Sequence, residues 1–582
     1  MSPRRHSLVP LLLALALPVC RDSGRAPART VLDYGDAEWE RPPFSVPGGE
    51  GEQVDGGVDD GDGFPGGTGG ADESGGWDGD TGTTGTTGTT GTGTTGTTGT
   101  TGTTGTGTDT DTGTGTTGTT GTMQTPGERL REDSMPAAAA CPADREPAVF
   151  YMSNDDSNSQ ASPILARQTV MEGGIVDPFR VRIYEFLNYY DLSYDNPDDV
   201  AARVGMQMRR IDADVGRFVL LAYAQGRHLA PEDRPPMNLV FSLDTSGSMS
   251  GEPIELLKST MRSIAGSLRA GDLVSVVTWD TVTNTLLQSH EVVGADDPEL
   301  LSLIDSIDAG GGTDLNQGLT TAYALAQLEY SDERINRVVM ISDGGANAGV
   351  TDIELIAAAA DDRDGEGIYL VGVGVDDTAA GYRDDLMDAV TDAGKGAYVF
   401  VDSPQEAELM FGERFVQNMT VAARNVQMEL TMPWYFAIAQ FHGEEYSEDP
   451  AEVEPQHLSH DDAMSFHQII EACDPSQIYT TDMVRARVTY EDPLTRTPLS
   501  DELELPIGEI VQRDASQLYK GDVVVAYAQA FIVIGDLVDS DRDRARQVAL
   551  DMVDWLQAAE TTLGDPEIGQ MRSVMQTYAG NL

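Results

Sequence analysis

The chain has 582 residues, with 96 Asp and Glu against 37 Lys and Arg, a net charge of −59 and a pI near 4.1. Such a chain is repelled by phosphate backbones, which argues against nucleic acid as a partner, and its length suits about three domains. The apolar fraction, 40%, is low for a wholly globular chain, and the deficit falls in the first quarter.

The start, residues 1–19, reads as an export signal. Arg4, Arg5 and His6 precede an apolar run from Leu8 to Val19, broken by Pro10 and Pro18 and too short to span a bilayer as a helix. Leu17-Pro18-Val19-Cys20 resembles a lipoprotein cleavage box, in which the cysteine is acylated and becomes the new N-terminus. Pro18 and Val19 depart from the small residues usual there. The expectation is a lipid anchor on Cys20, with ordinary secretory cleavage and no export as alternatives. Residues 20–47 would be anchor-proximal. Residues 48–127 are a Gly/Asp-rich part followed by a Thr-Gly-Thr repeat from Thr81 to Thr122. With almost no apolar side chains, such a stretch cannot bury a core and is expected to be a disordered tether, about 50 Å in root-mean-square span.

Order is expected to resume in residues 128–235. Val149–Met152 suits a strand. Phe179, Ile183, Phe186, Leu187 and Tyr190 fall at helical spacing, and Gly216–Ala224 reads as a strand. Across 236–418 strands and helices alternate: strands at 238–243, 273–278, 283–288, 337–342, 368–373 and 397–401, helices at 254–269, 297–307, 315–330, 351–362, 382–393 and 404–418. That alternation predicts an α/β, doubly wound, mostly parallel sheet. The short gap between 278 and 283 predicts one hairpin and one antiparallel strand. In 419–518 the short alternating runs Val426–Met432, Met483–Tyr490 and Leu503–Leu505 predict an antiparallel β-sandwich. The strand near 217–224 would complete it, making the α/β part an insertion. Residues 519–582 read as a C-terminal helical segment. No stretch after the first reads as a membrane span. Three cysteines are too few for a disulfide scaffold. In an exported chain Cys141 and Cys473 could pair, closing a long loop and stabilising through the entropy of the unfolded chain.

The informative stretch is Asn238-Leu-Val-Phe-Ser-Leu-Asp244-Thr-Ser246-Gly-Ser248-Met249. A buried strand ends in an aspartate and then turns. Alternate residues of an extended segment share a side, so Asp244, Ser246 and Ser248 can converge and offer hard oxygen ligands to a small divalent cation. Gly310-Gly-Gly-Thr313 is a flexible loop able to bring a hydroxyl near the same point. Arg337–Ser342 is a second buried strand, ending in Asp343. Ligands of open parallel sheets bind at the carboxyl ends of strands.

Asp244, Ser246, Ser248, Thr313 and Asp343, in that order, resemble the metal-ion-dependent adhesion site of von Willebrand factor type A domains over residues 236–418. Tyr184–Tyr190, Arg234–Val240, Asn336–Val339 and Asp343–Gly349 are similar to a bacterial envelope subgroup. The resemblance implies direct ligation by Ser246, Ser248 and Thr313, with Asp244 and Asp343 acting through water. The ion would be Mg2+, or Mn2+ or Ca2+, with an open position for a carboxylate from a protein partner, and no catalysis. It implies an adhesion module at the cell envelope; a non-catalytic scaffold subunit of an envelope complex is the alternative.

Other patterns carry less. Asp244-Thr-Ser246 lacks the second aspartate of a phosphatase motif, and no serine sits in a Gly-x-Ser-x-Gly elbow. Gly372-Val-Gly374 lacks the third glycine of a dinucleotide loop. His457 and His460, near Glu452 and Glu454, read as a solvated loop rather than a zinc site. Asp539-Ser-Asp541-Arg-Asp543 lacks the glycine and glutamate of an EF-hand and reads as helix-capping charge.

Overall fold

The computed structural model describes residues 140–155, 157–212, 216–344, 367–376, 378 and 382–582. The residues expected to form an export signal, a lipid anchor at Cys20, a disordered tether and a helix over 351–362 lie outside the described residues.

In chain order the strands are β1 (Ala148–Ser153), β2 (Ala202–Asp212), β3 (Arg217–Gly226), β4 (Met237–Asp244), β5 (Leu273–Trp279), β6 (Thr283–Glu291), β7 (Ile335–Ser342), β8 (Tyr369–Val375) and β9 (Tyr398–Val401). They continue with β10 (Ala423–Met432), β11 (Phe436–Phe441), β12 (Glu445–Ser447), β13 (Gln456–Leu458), β14 (Ala463–Ala472), β15 (Met483–Glu491) and β16 (Pro498–Pro506). The central sheet runs β6-β5-β4-β7-β8-β9, parallel except for the antiparallel β5–β6 pair. β4 and β7 lie inside it and are buried at every residue, which is why they read as unbroken apolar runs rather than alternating ones.

Two antiparallel sheets complete the strand content. One runs β12-β1-β10-β15-β16, with β13 also on β10; the other runs β11-β14-β3-β2. They share one apolar core: Met428, Leu430, Val484 and Val488 of the first meet Val204, Met206, Phe218, Leu220 and Phe466 of the second. β1 to β3 precede the central sheet in the chain and β10 to β16 follow it, so β4–β9 are inserted between parts of this body. Cys141 and Cys473 are joined by a disulfide, with Cα atoms 5.2 Å apart.

Helices Ala161–Met171 and Ile183–Tyr189 pack with the central sheet and with the C-terminal helices Ser516–Leu537, Arg542–Leu563 and Pro566–Asn581 in one large core. Phe186 meets Tyr527 edge to face at 6.0 Å. Arg182 holds Asp384 through a bidentate pair of 2.7 and 3.0 Å, the geometry in which an Arg–carboxylate pair is strongest. Asp541 caps Arg542–Leu563 by accepting from the Arg544 N–H at 3.0 Å, so that acidic run is a helix cap.

Three expectations need correction. Helix Ser516–Leu537 is apolar and long enough to cross a bilayer, with mean hydropathy 1.3, although most of it is buried inside the protein. The single helix expected over 404–418 is split by a π-turn at Leu409–Glu413. His457 and His460 do not sit in a solvated loop: both are buried, His457 within β13 and against the Tyr369 ring at 4.9 Å.

Burial of His457, together with Arg424, Lys395 and Arg337, pushes its imidazole down to about 3. A folded-state value below the ordinary 6.5 means that the unfolded chain takes up this proton first. Stability is therefore lost as pH falls from 6.5 toward 3, by about 1.4 kcal/mol per pH unit. Between pH 7.5 and 5.0 the native chain should lose about 2 kcal/mol more than His457→Gln, the constant cost of the substitution cancelling in the difference. Urea titrations at both pH values check this, and parallel pH profiles would refute it.

Candidate metal centre

β4 carries the chain to the carboxyl edge of the central sheet, and there Asp244 leaves it. The Asp244 side chain is fully buried. Its Oδ1 accepts from the Ser246 N–H at 2.9 Å, which bends the chain out of the strand, and its Oδ2 accepts from the Ser342 hydroxyl at 2.7 Å. Ser342 ends the neighbouring β7 and itself accepts from the Gly344 N–H at 3.0 Å. The Asp244 carboxylate is thus pinned between two strand ends. Past the bend, Gly247–Met249 form a single 3-10 turn. It sets the Ser246 and Ser248 hydroxyl oxygens 3.0 Å apart, Ser246 buried and Ser248 exposed.

The glycine-rich loop closes over this turn. The Gly310 N–H donates to the Thr245 carbonyl at 2.8 Å, and the Gly247 N–H donates to the Gly311 carbonyl at 3.2 Å. Gly311 has φ +94°, where a side chain would be strained. A Cβ on Gly247 would lie 3.2 Å from the Gly311 oxygen, so both glycines permit the approach. Thr313, half-buried, follows in the same loop. Asp314 then caps helix Leu315–Leu328 by accepting from the Gln317 N–H at 3.1 Å. Asp343 follows β7 directly and is nearly buried. Hydrogen bonds unite Asp244, Ser246 and Ser248. Asp343 acts on Asp244 through its charge, and Thr313 is carried by the loop tied to both.

The electrostatics suit a cation. Burial lifts the Asp244 carboxyl to about 6, against the pull of its hydrogen bonds from Ser246 and Ser342, and the Asp343 charge adds to the rise. Among the described residues no cationic side chain forms an ion pair with Asp244. The Asp244 carboxylate is held in a dry place beside the Asp343 charge, with neutral hydroxyls in front of it. Adjacent ligands of a regular octahedron with metal–oxygen distances of about 2.1 Å lie about 3.0 Å apart. The Ser246–Ser248 spacing of 3.0 Å therefore suits Mg2+ or Mn2+ without rearrangement. Among the described residues no group of three or more His, Cys, Asp or Glu is placed to hold a metal, which sets this hydroxyl-led site apart from a carboxylate or imidazole cluster.

Ser342 lies outside the five-residue motif. The available signal was a serine at the end of the strand beside β4, immediately before Asp343. The Gly372-Val-Gly374 pair is explained by packing within β8. A Cβ at Gly374 would fall 1.9 Å from the Tyr382 hydroxyl, and one at Gly372 would fall 2.2 Å from Thr391 Cγ2.

Residues 238–430 match the von Willebrand factor type A domain family. The uncharacterized protein YfbK of Escherichia coli (strain K12) is 27% identical over 301 residues, 50% of this chain and 51% of that protein. Inter-alpha-trypsin inhibitor heavy chain H6 of Homo sapiens is 28% identical over 137 residues, 21% of this chain and 10% of that protein. The chain thus spans about half the length of the bacterial relative and far less of the human one. A solved von Willebrand factor type A protein from Catenulispora acidiphila superposes with a TM-score of 0.42 at 12% identity, covering 65% of this chain and 91% of that one.

Proposed function

We propose that the von Willebrand factor type A domain of this chain is a metal-dependent binding module that takes a carboxylate from a protein partner, held at the bacterial cell envelope by a lipid on Cys20 and the Thr/Gly tether. The observation that carries this reading is the pair of hydroxyls 3.0 Å apart in front of a buried carboxylate without a cationic partner among the described residues. Ser246, Ser248 and Thr313 would hold the ion, with Asp244 and Asp343 behind it. The bound ion supplies an electrophilic position that a partner's carboxylate can fill. Because its directly bound donors are neutral hydroxyls, with the carboxylates behind them, the ion stays electrophilic toward a further carboxylate. The chemistry is binding; we assign the chain no reaction.

Thermal unfolding of the full chain in EDTA and in Mg2+, Mn2+ and Ca2+ tests the site. A ligand that binds only the native state at about a hundred times its Kd stabilises by about 2.7 kcal/mol. The midpoint should rise by several degrees in Mg2+ or Mn2+ and not in Asp244→Ala. No shift at millimolar ion would reject the metal reading. Once a partner is captured, EDTA or a soluble acidic peptide should release it. A partner retained under both treatments would point to a scaffold role, in which the loop only shapes an interface.

A further inference from the structure

The loop that carries Thr313 has no regular structure of its own between Ile307 and Leu315. Its position comes from cross-loop hydrogen bonds. Two of them, Gly310 N–H to the Thr245 carbonyl and Gly247 N–H to the Gly311 carbonyl, are purely main chain and hold the loop to the Asp244–Ser248 turn. The third comes from a different element. The Gly312 N–H donates to the Thr281 hydroxyl oxygen at 2.7 Å, and Thr281 lies in the turn between β5 and β6, outside the five-residue motif. It bonds the N–H of the Gly311–Gly312 peptide, the unit whose carbonyl accepts from Gly247, so that this peptide is held on both sides.

The turn is built to present this hydroxyl. Asp280 Oδ1 accepts from the Val282 N–H at 2.7 Å and fixes the turn around Thr281. A Cβ on Gly311 would lie 3.0 Å from Asp280 Cγ and 3.1 Å from Thr281 Oγ1, and one on Gly312 would lie 3.2 Å from Thr281 Oγ1. The two glycines let the loop backbone lie directly against the 280–281 turn. The base of that turn is anchored in turn: the Thr245 N–H donates to the Trp279 carbonyl at 3.0 Å, and Trp279 Nε1 donates to the Ser242 hydroxyl at 3.1 Å within β4. The loops that leave β4 and β5 and the glycine-rich loop before helix Leu315–Leu328 are therefore stitched together, and the Thr281 hydroxyl closes the stitch.

We infer that Thr281 is a positioning residue of the metal site: its hydroxyl holds the Gly310–Gly312 backbone where Thr313 can face the ion. This inference rests on the metal reading above and deepens it. Thr281 touches no ion itself; it acts through Thr313. Loss of its acceptor leaves the Gly311–Gly312 peptide held on its carbonyl side alone, free to tilt, while the two main-chain ties remain.

The test uses the full chain, Mn2+ as the probe followed by the resonance of the free ion, and thermal midpoints in EDTA. Thr281→Val keeps the shape of the side chain and removes the acceptor. It should weaken Mn2+ binding about tenfold, the scale of one hydrogen bond, with the EDTA midpoint unchanged. Thr281→Ser restores the hydroxyl and should bind within about twofold of the native chain. Thr313→Ala should weaken binding by itself, and adding Thr281→Val to it should change binding no further, since the two act through one group. A native chain that fails to bind Mn2+ would overturn the metal reading and this inference with it. A native chain that binds, with Thr281→Val binding equally well, would overturn the inference alone. So would losses that add fully in the Thr281→Val/Thr313→Ala double variant, or an EDTA midpoint lowered equally by the Val and Ser substitutions.

Discussion

Asp272→Ala should cost the fold about 3–5 kcal/mol, the scale for removing one partner of a buried ion pair. Asp272 stands just before β5, and its carboxylate is fully buried against Arg234, which is only 1% exposed. Oδ1 accepts from Arg234 Nη1 at 3.0 Å and from the Met237 N–H at 2.8 Å. Oδ2 accepts from Arg234 Nη2 at 2.6 Å and from the Arg269 N–H at 2.9 Å. The same guanidinium donates to the Pro235 and Ser267 carbonyls and lies over the Phe415 ring at 5.4 Å. Arg234 belongs to the connection from β3 into β4, so this one carboxylate joins the antiparallel body to the first strand of the central sheet. Alanine would leave a buried guanidinium without its counter-charge and two backbone N–H groups without acceptors, each expensive in a dry site. The double variant Arg234→Met/Asp272→Leu removes both charges and should be far milder, because the dehydration cost disappears together with the attraction. Urea denaturation of the three chains checks this. A loss below about 1 kcal/mol for Asp272→Ala, or a double variant worse than the single, would refute it.

What the sequence made readable follows from how strongly physics constrains each pattern. Asp244, Ser246 and Ser248 are legible because an extended chain places alternate residues on one side, and only a strand end in a parallel sheet gives them a common focus. β4 and β7 are legible because strands paired on both sides in a covered sheet need apolar residues at every position. β2 is hard to read although Ala202, Val204, Met206 and Met208 alternate inward, because Ala202 and Gly205 are residues depleted in strands and, across 202–209, only Val204 is a strong strand former. Helix Ala161–Met171 is buried on nearly every side, so it shows no amphipathic stripe to read. The π-turn within 404–418 has one local mark, Gly412, where a Cβ would meet the Glu408 carboxylate at 2.4 Å. The burial of His457 and His460 has no local signature: His457 is covered by Tyr369 and the β10–β13 pairing, and His460 is hydrogen-bonded to Thr420, contacts distant in sequence. Thr281 is of the same kind, an ordinary turn residue until the fold brings Gly312 onto it.

Opening the Cys141–Cys473 disulfide should lower stability by up to about 6 kcal/mol, the chain-entropy value for so long a loop, chiefly through the unfolded chain. The bond joins residues 332 apart, and the loop it closes contains the whole inserted central sheet. Cys141 precedes β1, which lies inside its sheet between β12 and β10. Cys473 follows β14, and its N–H donates to the Tyr435 carbonyl at 2.8 Å. Both ends of the bridge are therefore already placed by backbone pairing in the fold. Removing the covalent link leaves those hydrogen bonds in place but lets the denatured chain expand. That predicts a second, independent signature in the double variant Cys141→Ser/Cys473→Ser. The dependence of unfolding free energy on urea should steepen, because a chain without the crosslink exposes more surface on unfolding. Loss of native packing alone would lower the midpoint and leave that slope unchanged. Equilibrium urea curves for the oxidised chain, the chain in reductant and the double serine variant separate the two. A lower midpoint with a steeper slope places the stabilisation in the unfolded ensemble, whereas an unchanged slope would move it to the native contacts around β1 and Tyr435.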